Sequence, residues 1–136
     1  MAERRRTRHG KAANLKKSVM ISIVDDDASV REATKELVRS LGYSAAAFAS
    51  AEDFLKSGQL SETACLISDV QMPGLSGIDL QRRLIADGHR MPIIFITAFP
   101  DERARARALG AGAIGFLTKP YREESLIECL GQALKS

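Results

Sequence analysis

A few side chains along the 136-residue chain are of types that do chemistry together: Asp25, Asp26 and Asp27 in one run, then Asp69, Thr97 and Lys119. Two carboxylates about 4 Å apart repel by about 4 kcal/mol at an effective dielectric near 20, so three together need a counterion or shifted pKa values. A divalent cation removes that conflict. All-oxygen donors without histidine or cysteine favour a hard ion, and a few carboxylates with waters and a phosphate oxygen suit Mg2+ better than a full Ca2+ cage. Mn2+ is the natural substitute. Lys119 supplies a second positive charge and Thr97 a hydroxyl donor, a set suited to an incoming phosphoryl group, whose charge lies on its equatorial oxygens. A carboxylate can itself be the nucleophile and form an aspartyl phosphate.

Such residues act together only if the fold gathers them. Apolar, partly β-branched runs "VMISIV", "SAAAF", "ACLIS", "MPIIFI" and "AIGFLT" read as strands buried on both faces. Segments with helical spacing lie between them: Val30, Ala33, Leu37 and Leu41; Ala51, Phe54 and Leu55; Ile78, Leu80, Leu84 and Ile85; Ala104, Ala108 and Leu109; Leu126, Ile127, Leu130 and Leu134. Gly42 stands where the first helix needs a left-handed residue after its end, Ser50 and Ser76 are placed to cap the second and third, Gly110 closes the fourth, and Asp27 caps the first. Five successive β-α units predict an α/β fold, a doubly wound parallel sheet with helices on both faces and right-handed crossovers. The first run then ends in the three aspartates, the third in Asp69, the fourth in Thr97 and the fifth in Lys119. In a parallel sheet those ends share one edge, where ligands bind. Each residue alone is ordinary, since an aspartate after a strand is usually a cap and a lone lysine is usually solvated. Their joint appearance at four strand ends is what marks a site.

With 45% hydrophobic residues the chain can bury a core of ordinary size for one domain. No apolar run approaches the roughly 18 to 20 residues that a membrane span requires, which points to a cytoplasmic protein with no membrane partner. Cys65 and Cys129 belong to no metal-binding or redox pattern and read as buried thiols. The net charge of +3 is unevenly spread: residues 1–17 hold seven basic residues against Glu3, giving +6, and the remaining thirteen basic and sixteen acidic residues give −3. Residues 1–17 lack periodic apolar positions, so the expected organisation is a disordered basic tail over 1–17 and a single domain over 18–136. The tail reads first as a solvated extension, and nucleic acid is not an expected partner except through it.

The pieces "IVDDD", "SDVQMPGLSG", "FITA" and "FLTKP", in that order and spacing, resemble the receiver domain of two-component response regulators over residues 19–135. "VDDDASVREA", "LGYSAAAFASAEDFL" and "GAIGFLTKPY" are most similar to the FixJ-type subgroup. The resemblance implies a flavodoxin-like (βα)5 fold with strand order 2-1-3-4-5. It further implies Asp69 as phosphoacceptor, Asp25 and Asp26 as the acidic pair for Mg2+ with Asp26 the direct ligand, and the backbone carbonyl of Gln71 as a further ligand. Lys119 would pair with the acceptor and then with the phosphoryl group, through a Lys119-Pro120 peptide that is cis. Thr97 and Phe116 would form the switch pair, although Phe116 inside an apolar run reads by default as core. A sensor histidine kinase is the implied donor, and a downstream protein or a second copy is the implied reader of the face built from the fourth helix and fifth strand.

Two positions depart from the charged or small residues that many receivers carry. Gln71 lies two residues past Asp69 and Phe99 two past Thr97, where a bulky ring should obstruct a hydrolytic water or else pack on the loop before Pro100. Arg103, Arg105 and Arg107 cannot share one helix face, and read as solvated or as a partner surface. No output segment is visible after the receiver pattern, so the chain is expected to act as a single-domain receiver or to be a piece of a transcription factor or hybrid kinase. An enzyme-class rival is a Mg2+-dependent phosphohydrolase with an aspartyl nucleophile. Such enzymes use an acid two residues beyond the nucleophile, where this chain has Gln71, which disfavours turnover.

Overall fold

The computed structural model describes residues 19–135; the expectations for 1–17, and for residue 18 as the domain's start, lie outside them. Five strands, β1 (Met20–Val24), β2 (Ser44–Phe48), β3 (Thr63–Asp69), β4 (Ile93–Thr97) and β5 (Gly115–Thr118), alternate with five α-helices, α1 (Ala28–Ser40), α2 (Ala51–Lys56), α3 (Gly77–Ala86), α4 (Glu102–Gly110) and α5 (Glu123–Ala133). All the strand pairings are parallel and the order is β2-β1-β3-β4-β5, as the resemblance implied. No helix among the described residues is long and apolar enough to cross a membrane.

Alternation along the strands splits the core in two. Leu66, Ile93 and Phe95 point to the side holding Phe54 of α2, Leu80 and Leu84 of α3 and Ala108 of α4. Their neighbours Cys65, Ile67, Ile94 and Ile96 point to the other, under Val38 of α1 and Leu126 and Leu130 of α5. Each fully buried side chain of this size contributes about 1.5–3 kcal/mol, so both layers are fastened to the central strands, whose ends carry the candidate chemistry.

Several local expectations change on inspection. β2 is only partly buried along its whole length because it is an edge strand with a single neighbour. The inward positions of α1 are Thr34 and Val38, whereas Ala33 is exposed: the helix is rotated by about one residue from the face its aliphatic residues suggest. In α3 Gln81 is buried along with Ile78, Leu80 and Leu84, while Ile85 is 51% exposed. Ile127 of α5 is exposed as well. Cys65 is buried, but Cys129 is only half-buried, with its sulfur lying over Gly115 where a larger residue would put a side chain. Both thiols are free.

The caps follow the sequence more closely. Asp27 accepts from the amides of Ser29 and Val30, Ser50 accepts from Asp53, and Ser76 forms a reciprocal capping box with Asp79. Gly42 has the expected positive φ of 97°. Gly110, however, is still helical, and the left-handed residue that ends α4 is Gly112, with φ 104°.

Candidate functional site

Asp25 follows β1 directly, and its amide donates to the carbonyl of Phe48 at 3.1 Å. That bond fixes the start of the loop into α1. The Asp25 side chain is fully buried, and its Oδ1 accepts from the Asp27 amide at 2.9 Å. Arg31, one turn into α1, donates from Nη1 to the Asp25 carbonyl at 2.7 Å. Asp26 beside it is exposed. Asp69 closes β3 at 5% exposure, with Oδ1 accepting from the Gln71 amide at 3.3 Å. Carboxylate oxygens of Asp25, Asp26 and Asp69 all lie within 4.8 Å of one another.

Lys119 joins the two buried acids. Its Nζ lies 3.1 Å from Asp25 Oδ2 and 3.2 Å from Asp69 Oδ2, and its amide donates to the Thr97 carbonyl at 2.8 Å. The Lys119-Pro120 peptide is cis. One lysine does not balance three acids. Burial first, and then the Asp25 charge, push the Asp69 carboxyl up from 3.8 to about 6 against the pull of Lys119 and the Gln71 amide. Burial works against the Lys119 charge, yet Asp25 and then Asp69 outweigh it and raise the lysine.

One acceptor is only partly satisfied. Asp25 Oδ2 is buried and accepts no hydrogen bond; Lys119 Nζ, 3.1 Å away, pairs with it by charge but donates to Asp25 Oδ1 at 3.3 Å. A buried carboxylate oxygen without a hydrogen bond, beside two further carboxylates and with no histidine or cysteine in the cluster, fits a hard divalent cation such as Mg2+. Asp25, Asp26 and Asp69 would hold it.

Thr97 is fully buried at the end of β4, its hydroxyl accepting from the Phe99 amide at 3.1 Å. Phe116 in β5 is partly buried, its ring 6.2 Å from that of Phe95. Phe99 is 69% exposed, so it does not pack down on the loop before Pro100. With Asp26, Asp27, Asp69, Gln71, Ala98 and Lys119 it lines a cleft of about 220 Å3. The expected residues Asp25, Asp26, Asp69 and Lys119 thus meet in one cluster, Thr97 borders it through Lys119, and Phe116 packs on the core beside Phe95.

Three supports carried no sequence signal specific enough to find them. Arg31 reads as a solvated helix residue until its reach to Asp25 is seen. Glu52, in the first turn of α2, accepts from the Leu75 amide at 3.0 Å and so ties down the loop after Asp69; that bond holds its carboxyl below the usual range. Tyr121 shares a 2.7 Å hydrogen bond with Thr34 of α1, fastening the chain just after Pro120. Gly77 has a different reason to be there. A Cβ at this position would collide with the Asp69 carbonyl, and the Gly77 amide donates to the Val70 carbonyl at 2.7 Å.

Comparison with known proteins places this geometry. The family model described as response regulator receiver domain matches residues 21–131. Response regulator protein TodT of Pseudomonas putida is 47% identical over 116 residues, covering 85% of this chain and 51% of TodT. Transcriptional regulatory protein FixJ of Bradyrhizobium diazoefficiens is 34% identical over 115 residues, 85% of this chain and 56% of FixJ. A crystal structure titled FixJ-N superposes with a TM-score of 0.76 at 30% identity, covering 85% of this chain and 93% of that one. The chain spans about half the length of the curated relatives it matches.

Proposed function

The chain belongs to the response regulator receiver domain family, whose members are regulatory signalling proteins phosphorylated by sensor histidine kinases, and from that premise we propose that it is a phosphorylation switch with Asp69 as acceptor. The observation that carries this reading is the cluster itself: three carboxylates within 4.8 Å of one another, two of them buried and bridged by Lys119.

In the step proposed, an Asp69 carboxylate oxygen attacks the phosphorus of a kinase phosphohistidine. The O–P bond forms as the N–P bond breaks, and the histidine leaves with the electron pair of that bond. Receiver domains bind Mg2+ at an acidic aspartate cluster, and the ion, when bound, supplies positive charge for the transferring oxygens. Asp25, Asp26 and the Gln71 carbonyl are its assigned protein ligands besides Asp69, with Mn2+ able to substitute. Lys119 already sits 3.2 Å from Asp69 Oδ2, placed to follow the charge onto the phosphoryl oxygens. The added charge is about −1.5 to −2 at neutral pH, and the Thr97 hydroxyl is the assigned donor to it. Withdrawing that hydroxyl from the Phe99 amide, and letting Phe116 turn inward, shifts the face formed by α4 and β5. That face is read by a downstream protein or a second copy.

The proposed receiver unit is residues 18–136, working in the cytoplasm, with the basic segment 1–17 outside it. FixJ is named a transcriptional regulatory protein and is matched over 56% of its length; that supports an alternative in which this chain is the receiver part of such a regulator. Incubation with Mg2+ and a small phosphodonor, followed by intact mass, tests the central step. One phosphoryl mass is expected on the wild type and none on Asp69→Asn. Equal modification of both would place the chemistry elsewhere.

A further inference from the structure

Asp26 differs from the two other acids of the cluster in how it is held. It is exposed, and its carboxylate has no hydrogen-bond or ion-pair partner among the described residues, so only the backbone on either side aims it. Both sides are fastened by one residue, Arg31. The Arg31 amide donates to the Asp27 carbonyl at 2.9 Å, the bond that opens α1, and its Nη1 donates to the Asp25 carbonyl at 2.7 Å. The second bond stands where a strand would supply a partner. The Asp25 amide reaches Phe48 of β2, and in a parallel ladder the carbonyl of the same residue faces the same neighbour. β2 stops at Phe48, however, and Ser50 caps α2 instead. The half-buried guanidinium of Arg31 takes the missing rung. No carboxylate lies within ion-pair distance of it among the described residues, so its donor is directed at this carbonyl although three aspartates stand nearby.

We infer that Arg31 is a positioning residue for the cation: by clamping the peptide that joins Asp25 to Asp26, it aims the Asp26 carboxylate into the cluster, where its oxygen lies within 4.8 Å of those of Asp25 and Asp69. The inference rests on the reading of this cluster as a Mg2+ site. Arg31 has two opposite effects there, and their signs separate them. As a like charge near the cation it weakens binding. As a clamp it strengthens binding, because the cation no longer has to order an exposed side chain and the backbone that carries it. The clamp should dominate: groups that orient metal ligands from outside typically account for roughly 10–100-fold in affinity, whereas a half-buried charge is open to screening by water and salt.

The test is a Mg2+ titration of the full chain read by two-dimensional amide NMR, which reports the fold and the dissociation constant together. Arg31→Met keeps the apolar stem and drops the donor, and Arg31→Lys returns a charged donor. Lys35→Met removes one positive charge from the same helix, where Lys35 pairs with Glu32 at 3.7 Å. Arg31→Met is expected to bind Mg2+ about tenfold more weakly, Arg31→Lys to recover a good part of the loss, and Lys35→Met to bind as tightly as the wild type or more so. Phosphorylation by a small phosphodonor should follow the same order at limiting Mg2+ and converge at saturating Mg2+, a recovery that a damaged fold does not give. Unchanged or tighter binding in Arg31→Met, an equal loss in Lys35→Met, or a phosphorylation defect that saturating Mg2+ leaves in place would each overturn the inference. If Arg31→Met unfolds, Arg31→Lys carries the test: a two- to fivefold loss supports the clamp and full affinity overturns it. A wild type that binds no Mg2+ would overturn the metal reading itself, and this inference with it.

Discussion

Replacing Asp69 by asparagine should stabilise the metal-free protein, by an amount that grows with pH. The Asp69 carboxyl is raised from 3.8 to about 6 by burial and by Asp25, so the folded state holds this proton more tightly than the unfolded chain does. The stability that follows from it is fully present below about pH 4 and is lost as pH rises through about 6. At pH 7.5 the ionised side chain is therefore a net burden on the fold. Converted in full at about 1.36 kcal/mol per unit, the shift amounts to about 3 kcal/mol. Water in the open cleft screens part of that, leaving about 1–2 kcal/mol. Asparagine keeps the shape and omits the charge. Urea unfolding of both proteins in chelator, across pH 4 to 7.5, is the assay. The variant-minus-wild-type difference should climb by about 1–2 kcal/mol over that range, and fixed packing changes cancel from the climb. A flat difference, or one that falls with pH, would refute the electrostatic account of the cluster. Mg2+ then supplies a second arm: at ten times its dissociation constant it should stabilise the wild type by about 1.4 kcal/mol and the variant by less.

Other substitutions probe the surroundings. Phe99→Ala should speed decay of the phosphorylated form severalfold, because Phe99 lines the cleft that also holds Asp69; unchanged decay, followed by loss of the phosphoryl mass, would exclude a shielding role. Gly77→Ala forces a methyl against the Asp69 carbonyl and should cost about 1–3 kcal/mol in urea unfolding. Asp27→Ala removes the cap that holds the Ser29 and Val30 amides, and should cost about 1 kcal/mol without abolishing phosphorylation. Glu52→Ala should weaken phosphorylation by releasing the Leu75 amide; Glu52→Gln, which keeps an acceptor, should restore most of the rate, and equal loss in both would argue against the tie.

What could be read ahead of the structure was whatever a strand imposes locally. A strand's end is visible where apolar residues stop, and parallel topology then brings Asp25, Asp69, Thr97 and Lys119 to one edge. Caps were legible for the same reason, since Asp27, Ser50 and Ser76 act within three residues of themselves. Helix phase was not. Thr34 and Gln81 are polar, yet they turn inward because Tyr121 and the Ala108 carbonyl wait for them, partners 87 and 27 residues away in sequence. Edge position was equally hidden, because the alanines of β2 look like a central strand until topology gives them one neighbour. Arg31 and Glu52 belong to the same class: their worth lies in where they reach.

The reach of Lys119 has a mechanical consequence. β5 is a four-residue edge strand hydrogen-bonded to β4 alone, yet the lysine just beyond its end is anchored past β4, on acids that follow β1 and end β3. The strand is in effect moored from across the sheet. Its tendency to peel away should therefore respond to the charge on Asp69, so that amide exchange in residues 115–118 becomes a clock for chemistry two strands away.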